Sequence, residues 1–290
     1  MLIVFNPTAG AGRRRRLSRA LDALLRLGLR PEVAETAGPG DARRIAAAAA
    51  ARGIMLVVAA GGDGTIAEVA AGLSGSPAAL GLLPLGTANV LAWELGLNRT
   101  PEAAAQVLAQ GKSGLVWPGH ARFADGREIL FVQMLGAGFD AAVVAALDLR
   151  LKRQFGRAAY VLQALREAPR YGYPPITASL DGGVAEVAAS VIVTKGRLYA
   201  GRHLLAPAAR PAAPGFQVVL FRQGGAAAAL LAGAALPLGL VPRLPGVVIR
   251  PARQVVLTGA AVPVQADGDP AGLLPVSVED GATPLRILLP

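Results

Sequence analysis

The apolar run Ile54-Met55-Leu56-Val57-Val58-Ala59 leads almost directly into Gly61-Gly62-Asp63-Gly64-Thr65 and then into a helical pattern over 66–73. A strand apolar on both faces must be covered on both sides, as the central strands of parallel sheets are. Three glycines permit left-handed backbone angles and close approach of a ligand. In open α/β sheets ligands bind outside the carboxyl ends of the strands. Successive N–H groups, with the positive end of the following helix, attract anions there. The loop therefore reads as an anion nest. Asp63 within it repels phosphate unless a divalent cation or a transferring proton mediates. That makes it a candidate metal ligand and catalytic residue. A plain strand-to-helix turn capped by Thr65 needs one glycine, not three glycines and an aspartate.

The first third repeats this alternation. Strand patterns at 2–5, 33–35 and 79–83 are separated by helical patterns at 13–27, 41–52 and 90–95, the first with Leu17, Leu21, Leu24 and Leu25 on one face. Strand–helix alternation with right-handed crossovers implies a doubly wound sheet. Two more loops then fall at equivalent strand ends, Asn6-Pro7-Thr8-Ala9-Gly10-Ala11-Gly12 and Pro84-Leu85-Gly86-Thr87-Ala88-Asn89. Three such loops on one edge form a nucleotide cradle. Neither the Gly-Lys-Ser/Thr phosphate loop nor the GxGxxG dinucleotide fingerprint is present.

From about Ser113 short β-like runs dominate, separated by turns such as Asp125-Gly126, Asp181-Gly182 and Asp280-Gly281. A long helical stretch over 141–168 and an Ala-rich helix near 230 interrupt them. With 290 residues the chain is long enough for two lobes, expected at 1–112 (α/β) and 113–290 (β-rich).

Composition narrows the function classes. Hydrophobic residues make up 53%, which excludes disorder, and the absence of cysteine excludes disulfides, thiolate metal sites and a thiol nucleophile. The aromatic share of 4% argues against a stacking platform for single-stranded nucleic acid. Net charge +10, nearly all arginine, favours anionic partners. Arg13-Arg14-Arg15-Arg16 and Arg19 open the first helix, where cations oppose the helix dipole. They are either a solvated face or serve phosphate steering or attraction to anionic headgroups, a role also open to Lys152, Arg153 and Arg157. The uncharged run 223–242 approaches a membrane span in length, but its Ala, Gly and Pro content points to a buried or interfacial helix. The N-terminus does not read as a signal peptide. A soluble, cytoplasmic chain with peripheral contact to an anionic membrane is expected. His120 and His203 stand apart from any catalytic or metal pattern.

Asn6-Pro7 with Gly10, the Gly61–Thr65 loop followed by Glu68-Val69 and Gly72-Leu73, and Leu85-Gly86-Thr87-Ala88-Asn89 resemble the catalytic domain of the diacylglycerol kinase family, which includes sphingosine, ceramide and bacterial lipid kinases. The resemblance extends over Gly136–Ala141, Lys152, Gly156, Tyr160, Ala206-Pro207-Ala208 and Gln265-Ala266-Asp267-Gly268-Asp269, and so covers essentially the whole chain. Related Gly-Gly-Asp-Gly loops occur in NAD kinases and phosphofructokinases.

The resemblance implies a phosphofructokinase-like α/β lobe, a C-terminal β-sandwich lobe and an active-site cleft between them. It implies ATP-dependent phosphorylation of a lipid with a free hydroxyl, with Mg²⁺. The implied nucleotide contacts are Asn6, Pro7, Thr8, Ala9, Gly10, Thr36, Gly61, Gly62, Asp63, Gly64, Thr65, Ile66, Ala67 and Thr87. The implied general base is Asp269, with Asp267 beside it, and Asp63 would ligate the magnesium directly or through water. Three positions depart from the family pattern: Asp269 stands at a usual Glu, Pro214 at a magnesium-associated Asp, and Val90 where Asp is common. A soluble-metabolite kinase such as an NAD kinase, and a nucleotide- or lipid-binding pseudokinase, remain alternatives. DNA binding lacks a recognisable module, so no nucleic acid is expected as partner, and a homodimer is left open.

Overall fold

In a computed structural model, residues 1–8, 12–148 and 156–290 are described, and they divide into two units. The first comprises Met1–Trp117 and Ala282–Pro290. Its elements are β1 (Leu2–Phe5), α1 (Arg13–Arg26), β2 (Glu32–Glu35), α2 (Asp41–Ala51), β3 (Leu56–Gly61), α3 (Asp63–Leu73), β4 (Ala79–Pro84), α4 (Val90–Glu94), α5 (Pro101–Gln110), β5 (Lys112–Val116) and the last strand, β20 (Leu285–Leu289). They form one sheet in the order β2-β1-β3-β4-β20-β5. The first four strands run parallel, β20 is parallel to β4, and β5 is antiparallel to β20.

The apolar run predicted as the central strand is β3, paired on both sides, with Val57 through Ala60 fully buried. One sheet face, through Ile3, Phe5, Val58, Ala60 and Leu83, packs on Leu17, Ala20 and Leu24 of α1 and Ala104, Ala105 and Leu108 of α5. Strand alternation leaves Val4, Val57, Ala59 and Leu82 for the opposite face, where α2 and α3 lie together against β1, β3 and β4. Gly72 makes that helix pair possible: a Cβ there would come within 2.4 Å of the Arg43 carbonyl oxygen. This is the doubly wound arrangement expected. The first unit runs on to Trp117, past the expected division at 112, and also takes back the C-terminal strand, because β20 fills the sheet position between β4 and β5.

The second unit is Pro118–Gly281. It contains β6 (Gly119–Phe123), β7 (Glu128–Phe131), β8 (Met134–Gly138), α6 (Phe139–Ala145), α7 (Arg157–Glu167), β9 (Ile176–Leu180), β10 (Glu186–Ala188), β11 (Ser190–Thr194), β12 (Leu198–Tyr199), β13 (His203–Leu204), β14 (Phe216–Phe221), α8 (Ala226–Ala235), β15 (Val247–Ala252), β16 (Gln254–Thr258), β17 (Pro263–Ala266), β18 (Asp269–Leu273) and β19 (Val276–Asp280). Two six-stranded antiparallel sheets result, β10-β9-β16-β19-β6-β7 and β15-β14-β11-β8-β17-β18. Their facing side chains, among them Phe131, Ile176, Val255 and Val278 from one and Leu135, Val191, Val218 and Val264 from the other, make a single core. The unit is a β-sandwich.

Among the described residues, the helical stretch expected over 141–168 gives two helices, α6 and α7; Lys152 and Arg153 lie outside the described residues. The uncharged run near 230 forms α8 and then two short 3₁₀ turns. It is a surface helix rather than a buried one, with Leu230, Leu231 and Leu238 46%, 54% and 70% exposed. No helix among the described residues is long and apolar enough to cross a membrane.

Candidate phosphate-binding site

At the carboxyl edge of the first sheet, β3 ends in Gly61 and α3 begins at Asp63. A Cβ on Gly61 would lie 2.4 Å from Thr65 Oγ1, so only glycine admits the tight return of the helix over the strand end. The Gly61 carbonyl accepts the N–H groups of Leu85 (2.8 Å) and Gly86 (3.0 Å), drawing the loop after β4 against the nest. A Cβ on Gly86 would sit 2.4 Å from the Gly62 Cα, so the two loops touch backbone to backbone. Asn6 closes the other side. Its N–H donates to the Ala60 carbonyl, its Nδ2 donates to Thr65 Oγ1 (3.1 Å), and its Oδ1 accepts both the N–H and the hydroxyl of Thr8. Thr36, buried at the end of β2, donates its N–H to the Phe5 carbonyl and thereby sits beside the first loop.

The structure thus brings Asn6, Thr8, Thr36, Gly61, Gly62, Asp63, Gly64 and Thr65 to one sheet edge. Pro7 lies between Asn6 and Thr8; Ala9 and Gly10 lie outside the described residues. Ile66 buries its side chain in the core and donates its N–H to the Gly62 carbonyl, so it holds the turn; Ala67 is half-buried on the next position. Thr87 is exposed on the rim of a cleft of about 660 Å³ that Arg16, Gly86, Trp93 and Asn98 also line.

Asp63 does more than sit in the nest. Its two oxygens accept the N–H groups of Asn89 (2.8 Å) and Val90 (2.6 Å), capping the first turn of α4. Asn89, fully buried with φ +49°, in turn accepts the Gly86 N–H and donates to the Gly86 carbonyl. Asn89 was part of the motif that carried the resemblance, yet its role as the pin of this loop is visible only in the fold. Glu68 works similarly, accepting the N–H groups of Gly40 and Ala42 at the start of α2.

The arginine run divides by position. Arg14 forms an exposed pair with Glu35, and Arg19 an exposed pair with Glu102. Such pairs add little stability. Arg16 reaches inward to the carbonyls of Pro84 and Arg99, and burial with nearby Arg19 lowers its pKa. Arg13 is buried, and that burial, with Arg16 nearby, lowers its pKa to about 10. One solvated face would have treated all four alike.

In the second unit the late acidic turn separates its two aspartates. Asp267 is buried at φ +48°, and its carboxylate accepts the N–H groups of Val132 (2.7 Å), Gln133 (2.9 Å) and Met134 (2.9 Å). It ties the turn to the β7–β8 connection. Asp269 is exposed at the first position of β18. Elsewhere in this unit the carbonyls of Ala213 (3.3 Å) and Gly215 (2.7 Å) and the Asp280 carboxylate (2.6 Å) surround the Lys195 ammonium, whose side chain is fully buried. Around Pro214 the chain's own cation occupies an oxygen cage. A single lysine in a strand pattern carries no signal, so this cage shows only in the fold.

Among the described residues no group of three His, Cys, Asp or Glu side chains is placed to hold a metal ion. Magnesium is commonly held by one or two carboxylates, water and substrate phosphates. A single carboxylate beside a glycine turn at a helix N-terminus, as Asp63 provides, fits an ion arriving with a phosphorylated ligand and not a permanent all-protein site.

Comparison with known proteins agrees with this two-domain fold. Residues 1–119 match the family model for the diacylglycerol kinase catalytic domain, and residues 133–289 match that for a YegS C-terminal NAD kinase beta sandwich-like domain. A protein named diacylglycerol kinase from Mycobacterium tuberculosis is 30% identical over 291 residues, spanning 98% of this chain and 93% of that protein. A protein named "Probable lipid kinase YegS-like" from Pseudomonas aeruginosa is 42% identical over 131 residues, 43% of this chain and 40% of that protein. The solved structure of a diacylglycerol kinase from Bacillus anthracis superposes with a TM-score of 0.71 at 17% identity, over all of this chain and 96% of that one, a likeness of fold. With both domain models matched in order and a relative aligned along nearly its full length, the chain belongs to the diacylglycerol kinase family of lipid kinases, a family of phosphotransferases.

Proposed function

We propose that this chain transfers the γ-phosphate of ATP to the free hydroxyl of a lipid, a diacylglycerol, sphingoid or related glycerolipid. The observation that carries the reading is the nest: a glycine turn at a helix N-terminus, pressed against Gly86 and closed by Asn6, with a buried guanidinium alongside. Phosphoryl transfer asks mainly for positioning and charge neutralisation, and that is what such a nest supplies.

Asn6, Pro7, Thr8, Ala9, Gly10, Thr36, Gly61 through Ala67 and Thr87 bind and orient the nucleotide. Magnesium, when bound, neutralises phosphate oxygens, and Asp63 would hold it, through water or directly. Asp269 accepts the proton of the attacking hydroxyl. Asp267, with three N–H groups on its carboxylate, positions the turn on which Asp269 stands. Asp269 is shorter by one methylene than the glutamate usual in the family. Misplacement by about 1 Å can cost on the order of 100-fold in rate, so slow turnover is expected. The exposed leucines of α8 and the arginine excess suit peripheral contact with an anionic membrane surface.

The test is a transfer assay with Mg²⁺ and γ-labelled ATP against diacylglycerol, sphingosine and phosphatidylglycerol in mixed micelles, products identified by mass spectrometry. Label appearing in one lipid supports the reading. No label in any lipid overturns it, and faster label transfer to NAD selects a soluble-metabolite kinase instead.

A further inference from the structure

Arg13 is only 7% exposed, more than nine-tenths buried, yet no carboxylate among the described residues pairs with it. Among the described residues its guanidinium makes one hydrogen bond, from Nη1 to the Asn6 carbonyl at 3.3 Å. Its Nη2 stands 3.7 Å from where a Cβ on Gly62 would be, and the Gly86 Cα stands 3.5 Å from that point. The guanidinium therefore lies over the middle glycine of the nest. A buried cation without a counter-ion is costly, and proteins rarely keep one unless it is paired or binds a ligand. Here the charge opens α1, the end at which the helix dipole also disfavours it. Its neighbour Arg16 adds repulsion, and the one long hydrogen bond to a neutral carbonyl supplies no opposing charge.

We propose that Arg13 is a phosphate-binding residue, its guanidinium donating to phosphate oxygens seated on the Gly61–Thr65 nest. The assignment rests on the nucleotide reading above and deepens it. The missing counter-ion is the ligand's own phosphate, and the planar fork suits two oxygens of a triphosphate. A structural arginine stabilises the empty protein, whereas a ligand-directed one destabilises it and is compensated only on binding. The two roles therefore predict opposite signs for the same substitution.

The experiment measures ligand-free Tm, and the affinities for ATP and for inorganic tripolyphosphate, in wild type, Arg13→Met and Arg13→Gln. Ligand-free Tm is expected to stay level or rise in both variants. Affinity for both ligands is expected to fall by about 10- to 100-fold, the size of lost charge-assisted hydrogen bonds. A lower ligand-free Tm in both variants makes Arg13 structural and overturns the inference. So does unchanged tripolyphosphate affinity in either variant, and in that case the nucleotide reading still stands. Wild-type protein that binds neither ATP nor tripolyphosphate removes the nucleotide reading itself, and the role of Arg13 with it.

Discussion

Asp63 accepts the backbone N–H of Asn89 at 2.8 Å, joining the loop after β3 to the loop after β4 through one carboxylate. The second oxygen takes the Val90 N–H at 2.6 Å. The residue that the motif marks for chemistry is thus also the cap of α4. Asp63→Ala is expected to destabilise the first unit by about 2 kcal/mol or more, as hydrogen bonds to a charged group are lost. Amide exchange at Asn89 and Val90 should accelerate in the same variant. Unchanged exchange at both amides would mean that the contact does not hold the loop.

The two aspartates of the late turn are expected to separate stability from turnover. Asp267→Ala leaves three buried N–H groups without their acceptor and is expected to cost about 2–4 kcal/mol, read by denaturant unfolding. Asp269→Ala, exposed at a strand start, is expected to change stability by less than about 0.5 kcal/mol while abolishing lipid phosphorylation. If Asp269→Ala retains full transfer, another group accepts the proton.

The buried Lys195 ammonium pairs with the partly exposed Asp280 carboxylate at 2.6 Å. Removing one partner strands the other, so Lys195→Met is expected to lower stability by about 3 kcal/mol. Burial lowers the Lys195 pKa below its ordinary 10.5, against the opposing pull of Asp280. Between the native value and 10.5 the unfolded chain holds more protons, so this group's contribution to stability rises with pH over that interval. Stability of the variant subtracted from that of wild type should therefore increase toward alkaline pH. A flat difference would place the ammonium in water.

Asp140 carries the opposite sign. Burial raises its pKa above the ordinary 3.8, with hydrogen bonds from Tyr199 and Gln265 pulling the other way. The native protein keeps a proton the unfolded chain has lost, so its contribution falls as pH rises through and above 3.8. Asp140→Asn cannot ionise and should gain on wild type as pH is raised from about 4 to 7. Parallel pH profiles would show that Asp140 is charged in the native state at its ordinary value.

Much of the site could be read from residue order, because its signals are local. A doubly apolar strand followed by Gly61-Gly62-Asp63-Gly64-Thr65 admits few backbone paths, and the structure follows the expected one. The β-sandwich was legible only as a string of short alternating runs; which runs pair was not. Residue order does not mark the last strand as a partner of the first sheet, since Ile287 and Leu80 are distant in the chain and adjacent only once folded. The uniform arginine run was equally opaque, because four identical side chains differ only in what surrounds them.

By itself the order of amino acids determined where strands end in glycine turns, where helices start, and that their loops gather on one edge, for these follow from backbone sterics and hydrophobic period. Only the tertiary structure decided that Asp63 caps a neighbouring helix, that Lys195 fills an oxygen cage, and that Arg13 is buried with no carboxylate paired to it among the described residues. Those outcomes depend on desolvation and on partners far along the chain, and neither is encoded in any local stretch of residues.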